Sequence, residues 1–273
     1  MTTQVSTVAR GMSRRGSFAS SDSVVYPVIN HDRSAGSMAV RHAGDSVTVR
    51  FVFTDRNRGA RVQARYLVRD GHITWAELRP VLADERIGDA TSRFEIVGDS
   101  LRRWSPTATS TERVEPGTYY YLGGTPYDQV LLAKYLLHQP QRTTKLSNGT
   151  TARAQVLKET TVPTSVGEEH VRLIAIDRSY GVSLIWLDAN DDLFATEVGW
   201  FITVKPGAER ALPTLRKIET EYRDAQAESL NARLMKPTAG TIAIRNGNLF
   251  DSEAGVVRPR TTVVIRGERI VAV

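Results

Sequence analysis

The sequence predicts a mainly β chain of α+β type: an antiparallel sheet packed on one short and one long helix, followed by a short β-hairpin unit. Apolar residues alternate with period two over 24–110 and again in runs over 150–204, with Gly- and Asn/Asp-containing turns between the runs. Two segments, 126–138 and 213–236, switch to helical spacing, and a fresh set of strands follows Gly240. These shifts divide the chain into a disordered N-terminus (1–24), an antiparallel β domain containing the first helix (25–210), a connecting helix (211–236) and a terminal unit (240–273).

In VTVRFVFTD (47–55), Val47, Val49, Phe51 and Phe53 share one face while Thr48, Arg50, Val52 and Thr54 take the other. ARVQARYLV follows across Asn57-Arg58-Gly59, which predicts a hairpin with Arg61, Gln63, Arg65 and Arg69 outward. DGHITWAEL extends the meander after the Asp70-Gly71 turn, and SRFEIVGDSLRRWS repeats the pattern across Gly98-Asp99. In TPYDQVLLAKYLLHQP, Thr125 is placed as an N-cap, with Pro126 at the first helical position and Asp128 completing a capping box. Tyr127, Val130, Leu131, Lys134 and Leu137 or His138 line one side of a buried helix that Pro140 stops.

Strands resume in TTARAQVLKETTV, HVRLIAIDR, SLIWLDAND and LFATEVGWFITV, the last two forming a hairpin whose arms carry Trp186 and Phe194. The long helix has an apolar stripe of Leu215, Ile218, Tyr222, Ala225 and Leu230 or Leu234, with Glu219, Glu221, Arg223, Asp224 and Glu228 facing water.

Composition excludes several classes. With 41% hydrophobic and 24% charged residues the chain is globular in character. The formal charge is +6, carried by 30 Arg and 6 Lys spread along the chain without a basic run, so no nucleic-acid partner is predicted. There is no cysteine, hence no disulfide or thiolate chemistry, and compartment stays open. No apolar window approaches a membrane span and the N-terminus lacks an apolar signal core, which leaves a cytoplasmic location as the default.

The last residues, TIAIRNGNLFDSEAGVVRPRTTVVIRGERIVAV, read as a strand, an Asn246-Gly247 turn, a short strand Leu249-Phe250-Asp251, a loop, and a hairpin closing at Gly267-Glu268. Ile244, Asn246, Leu249, Phe250, Asp251, Val264, Ile265, Gly267, Arg269, Ile270 and Val273 resemble the opening motif of the amidohydrolase superfamily of metal-dependent hydrolases. In that family the motif begins a small β-sandwich that precedes a catalytic (β/α)8 barrel. The upstream order of meander, TPYDQVLLAKYLL helix, further strands and long helix is similar to an N-terminal extension found in some bacterial amidohydrolases. That likeness implies an open, strongly curved antiparallel sheet around a helix, followed by an incomplete sandwich over 240–273. It also implies that the barrel would begin where this sequence stops, so the chain is expected to be a truncated product or fragment without activity of its own. The terminal hairpin is then expected to be mobile, to pack on the preceding unit, or to pair with another molecule through an exposed edge.

The family's chemistry, hydrolysis of carbon–nitrogen bonds such as those of cyclic amides, depends on a His-x-His pair with further ligands for a divalent metal such as zinc. His31, His42, His72, His138 and His170 stand at least 11 residues apart, so no catalytic, metal or cofactor-binding residue is assigned and no cofactor is expected in this chain. DANDD (188–192) lacks the Gly and Glu of a calcium loop and reads as a polar turn. Gly123-Gly124 before the first helix could admit an anion, but without the Lys and spacing of a phosphate loop it reads as a plain turn. A different class of function is a stand-alone module that binds a lipid or other apolar small molecule, with Tyr119, Tyr120 and Tyr121 joined by Trp75 and Trp104 on a concave sheet.

Overall fold

The structure is a computed structural model and describes residues 23–31, 33–235 and 240–273. The expected disordered N-terminus falls almost wholly outside these residues. The chain folds as two units, 1–219 and 220–273, with the division inside the long helix.

The first unit is mainly β, with curved antiparallel sheets packed on helices. Strands β1 (Ser23–Asn30), β2 (Arg33–Ala43), β3 (Ser46–Phe53), β4 (Arg61–Arg69), β5 (His72–Pro80), β6 (Ser92–Val97), β7 (Ser100–Ser105) and β8 (Ala108–Arg113) form one continuous meander. The alternation foreseen for β3 is observed: Val47, Val49 and Phe51 are buried, and in β4 the inward pair is Ala64 and Tyr66. The tight turn after β3 is Arg56-Asn57 rather than Asn57-Arg58-Gly59, because Arg56 and Asn57 both take positive φ (48° and 61°) between the bridged Asp55 and Arg58. Gly59 is required for another reason: a Cβ there would run into the Phe53 carbonyl.

The second sheet runs in the order β14 (Leu193–Thr196), β13 (Gly181–Asp188), β12 (Gly167–Arg178), β11 (Thr151–Thr164), β10 (Thr143–Leu146), β9 (Thr118–Tyr119). The run LFATEVGWFITV is not one strand. After β14 the chain leaves this sheet, and β15 (Phe201–Thr203) pairs with β1 in the first. The chain thereby crosses back to the first sheet, having crossed to the second between β8 and β9.

Between them lies α1 (Tyr127–Leu137). Its burial goes right round the helix, since Leu132, Ala133, Tyr135 and Leu136 are buried along with Tyr127, Val130 and Leu131; a helix apolar on every side must be enclosed. The first sheet meets it through Tyr66, His42 and His72, and the second through Tyr119, whose ring centroid is 4.8 Å from that of Tyr135. One core cluster accordingly contains Met38, Val49 and Phe94 from the first sheet and Leu146, Ile176 and Leu187 from the second.

The other face of the second sheet is covered too. In β13 every residue from Leu184 to Asp188 is buried, as a continuous apolar run demands of a strand packed on both faces. Ile185 and Leu187 belong to the cluster around α1, while Trp186, fully buried, reaches α2 (Leu212–Leu234). Glu219 of α2, expected to face water, is buried and bonded to Trp186. Leu230, on the expected apolar stripe, is 45% exposed.

The second unit holds a three-stranded antiparallel sheet, β16 (Thr241–Asp251), β17 (Val256–Arg266) and β18 (Arg269–Ala272), with β16 and β18 as its edges. Asn246-Gly247 is a bulge inside β16 instead of a turn: Asn246 sits at φ 58° where the register shifts, and Arg260 at φ 53° lies close to it on β17. No helix among the described residues is long and apolar enough to cross a membrane.

At the start of α1 the cap falls on Pro126 and not on Thr125, and the capping box is rearranged. The Asp128 carboxylate accepts the Thr125 N–H at 3.0 Å, as expected, but the Thr125 hydroxyl also donates to it at 3.2 Å, and Tyr66 does so at 3.0 Å. Burial raises the Asp128 carboxyl above the ordinary carboxylate range, and these hydrogen bonds only partly offset that. The unfolded chain therefore ionises here first, near pH ~4, and stability falls as pH rises from that value through the raised folded one. Asp128→Asn should remove this slope: in urea melts across the weakly acidic range, wild type should lose stability with rising pH relative to the variant, whereas parallel curves would show an ordinary folded carboxyl.

Candidate functional site

The residues that the sequence offered for chemistry do not converge. His42 Nε2 is 3.0 Å from the Tyr127 hydroxyl, the His72 ring meets Tyr135 edge-on, His138 Nδ1 caps the Lys134 carbonyl at 2.7 Å, and His170 lies 3.6 Å from Glu159. Among the described residues no group of three or more His, Asp or Glu is placed to hold a metal ion. The donor set that the resemblance implies therefore does not fit this chain. In the DANDD turn the carboxylates are taken up by cations: Lys134 meets Asp192 at 2.5 Å, Lys205 meets Asp188 at 3.0 Å, and Arg172 pairs with Asp191. Asp188 also accepts the Asn190 and Asp192 N–H groups, which makes the segment a self-contained Asx turn.

The Gly123-Gly124 loop has likewise filled its own anion position with Asp128. Tyr119 and Tyr120 are buried, the first on Tyr135 and the second with its hydroxyl on the Glu115 N–H at 2.9 Å. Trp75 and Trp104 do not join them. Trp75 pairs with Glu95 and Trp104 with Arg93, on the face opposite buried Ala76 and Phe94, and each is covered by an arginine, Arg65 and Arg93 respectively. The space inside the curve of the sheets is occupied by α1.

What the fold does assemble is a cleft where two hairpin ends meet the crossover between β14 and β15. Register places Asn30 beside Phe201, so that the next residues outward, His31 and Trp200, face one another with ring centroids 6.2 Å apart. The β2–β3 ladder sets Gly36 against Phe53, which brings Ala35 to Thr54 through a 2.8 Å backbone hydrogen bond and carries the Asp55–Arg58 turn to the same end. Two adjoining hollows result, of about 650 Å³ and about 420 Å³, sharing His31 and Trp200 as their common wall. The first is lined by Arg33, Asp55 and Arg56, the second by Val198, Gly199 and Arg216.

Trp200 is 55% exposed, which is unusual for so large an apolar side chain. It is nonetheless held: its ring stacks on Phe201, Phe201 packs on Phe53 at 4.4 Å, and the Arg56 guanidinium lies 5.9 Å from the Trp200 ring centroid. His31 and Arg56 both occupy the left-handed region (φ 53° and 48°), a conformation costing on the order of 1–2 kcal/mol for such residues. Among the described residues no carboxylate comes within ion-pair distance of Arg33, Arg56 or Arg216.

Comparison with family models, with curated proteins and with solved structures finds no match to this chain. The sequence did not announce the cleft, because its parts come from four stretches, 30–35, 54–56, 198–200 and 216. Its one local signal was the Gly-Trp-Phe triplet.

Glu219 positions both sides of the second hollow. Its carboxylate accepts the Trp186 indole N–H at 2.7 Å and the Val198 N–H at 2.9 Å, tying the segment that bears Trp200 to the helix that bears Arg216. Removing it leaves a buried donor at Trp186 and a part-buried one at Val198 without this partner. Glu219→Ala should therefore lower stability by roughly 2–4 kcal/mol in urea unfolding, with Trp186 emission shifting toward that of a hydrated indole; an unchanged midpoint would show the clamp to be dispensable.

Proposed function

We propose that the chain is the N-terminal, non-catalytic part of an amidohydrolase-like metal-dependent hydrolase, a class acting on carbon–nitrogen bonds such as those of cyclic amides, and that it has no turnover of its own. The observation that carries this reading is the state of the β16–β18 sheet. Register aligns Ile242 with Ile265, Ile244 with Val263 and Ile265 with Ile270, so one face is a continuous apolar patch. Ile242, Ile244 and Ile270 are 41%, 53% and 65% exposed. A three-stranded sheet with one uncovered apolar face is half of a sandwich, which is what the motif around Leu249-Phe250-Asp251 would build in the complete architecture. Self-association through the β18 edge would be another way to complete it.

The reading as a stand-alone carrier of a lipid draws less support, because the interior that would receive an acyl chain contains α1. An apolar ligand would need that helix to move, at the cost of a core built on Leu132, Tyr135 and Leu136.

The purified chain should show no metal-dependent hydrolysis of cyclic amides or lactones with zinc or manganese added, and the native polypeptide should continue beyond Val273 into a His-x-His within a few tens of residues. Turnover that is abolished by a chelator would overturn the proposal. Stoichiometric uptake of a fluorescent fatty acid would transfer support to the carrier reading.

A further inference from the structure

We infer that the His31–Trp200 cleft binds a small molecule combining a flat ring with a carboxylate or phosphate. This inference stands apart from the reading of the terminal sheet, since every residue it uses lies within 30–216. Three arginines, Arg33, Arg56 and Arg216, converge on the wall formed by His31 and Trp200, and Asp55 is the one acidic residue among those described that lines either hollow. Some arginines of this chain have carboxylate partners: Arg50 and Arg61 share Glu85, and Arg103 takes Glu112. Those of the cleft are left without an anionic partner among the described residues, while desolvating surface stands beside them.

The two features select for one ligand chemistry. A guanidinium presents a planar fork of donors that matches a carboxylate or phosphate, and an indole face held in place by Phe201 offers a stacking surface for a planar ring. The larger hollow, about 650 Å³, is of the size that takes a small organic molecule. A long polyanion fits less well, because the arginines elsewhere are interspersed with acids and do not form a track leading from the cleft. His31 and Arg56 are among the described non-glycine residues held at positive φ, a conformation that fixes the direction in which each side chain is presented.

The test uses two ring anions, adenosine 5′-monophosphate and 2-naphthoate, with adenosine and inorganic phosphate as the ring without charge and the charge without ring. Binding is followed on the Trp200 indole N–H resonance, assigned with Trp200→Phe. At least one ring anion should saturate the shift with a dissociation constant below about 1 mM, as suits an open cleft. Adenosine and phosphate should bind about 10-fold more weakly or worse, as loss of one charge-assisted contact implies. Arg56→Gln should weaken the ring anion by about 10-fold, and Arg102→Gln, on the exposed face of β7, should leave it unchanged. The inference is overturned if neither ring anion moves the resonance, if the neutral ring binds as well as the charged one, or if both arginine variants weaken binding equally.

Discussion

Everything in the first unit follows from a helix that has no side to show to water. Residues of α1 are buried round its whole circumference, so a single sheet, which can cover only one side, could not hold it. The chain meets this requirement with two sheets, and the strands from β1 to β7 and from β9 to β14 present inward apolar side chains to the same cylinder. A carboxyl enters that interior at Asp128, where Tyr66 and Thr125 surround it and join the helix start to β4. Filling the interior has a functional consequence. Binding or chemistry on this scaffold must occur at its periphery, where hairpin ends and crossovers leave surface that is not needed for the core.

The crossover through β15 is where the periphery becomes specific. Because β14 belongs to one sheet and β15 to the other, the intervening residues 197–200 span the gap between them and cannot lie flat in either. Glu219 fixes this span from α2, and the Phe51, Phe53, Phe201 and Trp200 rings continue outward from the core in a row. A Trp at the end of such a row is costly to expose yet rigidly supported, and arginine side chains that have no ion-pair partner among the described residues stand around it. The same constraint that closes the interior thus sets an aromatic and cationic surface where the chain returns from the second sheet to the first.

Much of this was legible in the sequence, and the parts that were not share a physical reason. Period-two alternation located the meander, since a sheet with one wet face writes its burial directly into residue order, as Val47, Val49 and Phe51 against Thr48 and Arg50 show. Asp70-Gly71 and Gly98-Asp99 marked turns because their φ values are demanded locally. Glu219 misled for the opposite reason: on a helix rich in Glu and Arg a buried carboxylate has the same spacing as a solvated one, and partners distant in sequence, Trp186 and Val198, distinguish it. The burial all round α1 was hidden by Lys134 and Asp128, whose polar ends find partners in Asp192 and Tyr66 instead of water. The cleft was invisible for lack of any local signature, its arginines being ordinary wherever they stand alone.

The terminal sheet poses a separate physical problem, because an apolar face and two strand edges are a standing invitation to aggregation. Its sequence contains the features that oppose this. Pro259 interrupts the donors of β17, the paired irregularities at Asn246 and Arg260 increase the local twist, and Arg245, Arg258, Arg260, Arg266 and Arg269 give the strands strong like charge, only part of which is answered by Asp251, Glu253 and Glu268. A sheet defended in this manner against copies of itself, yet carrying Ile242, Ile244, Val263, Ile265 and Ile270 in register, is better suited to a partner surface of complementary shape and acidic rim than to indiscriminate stacking.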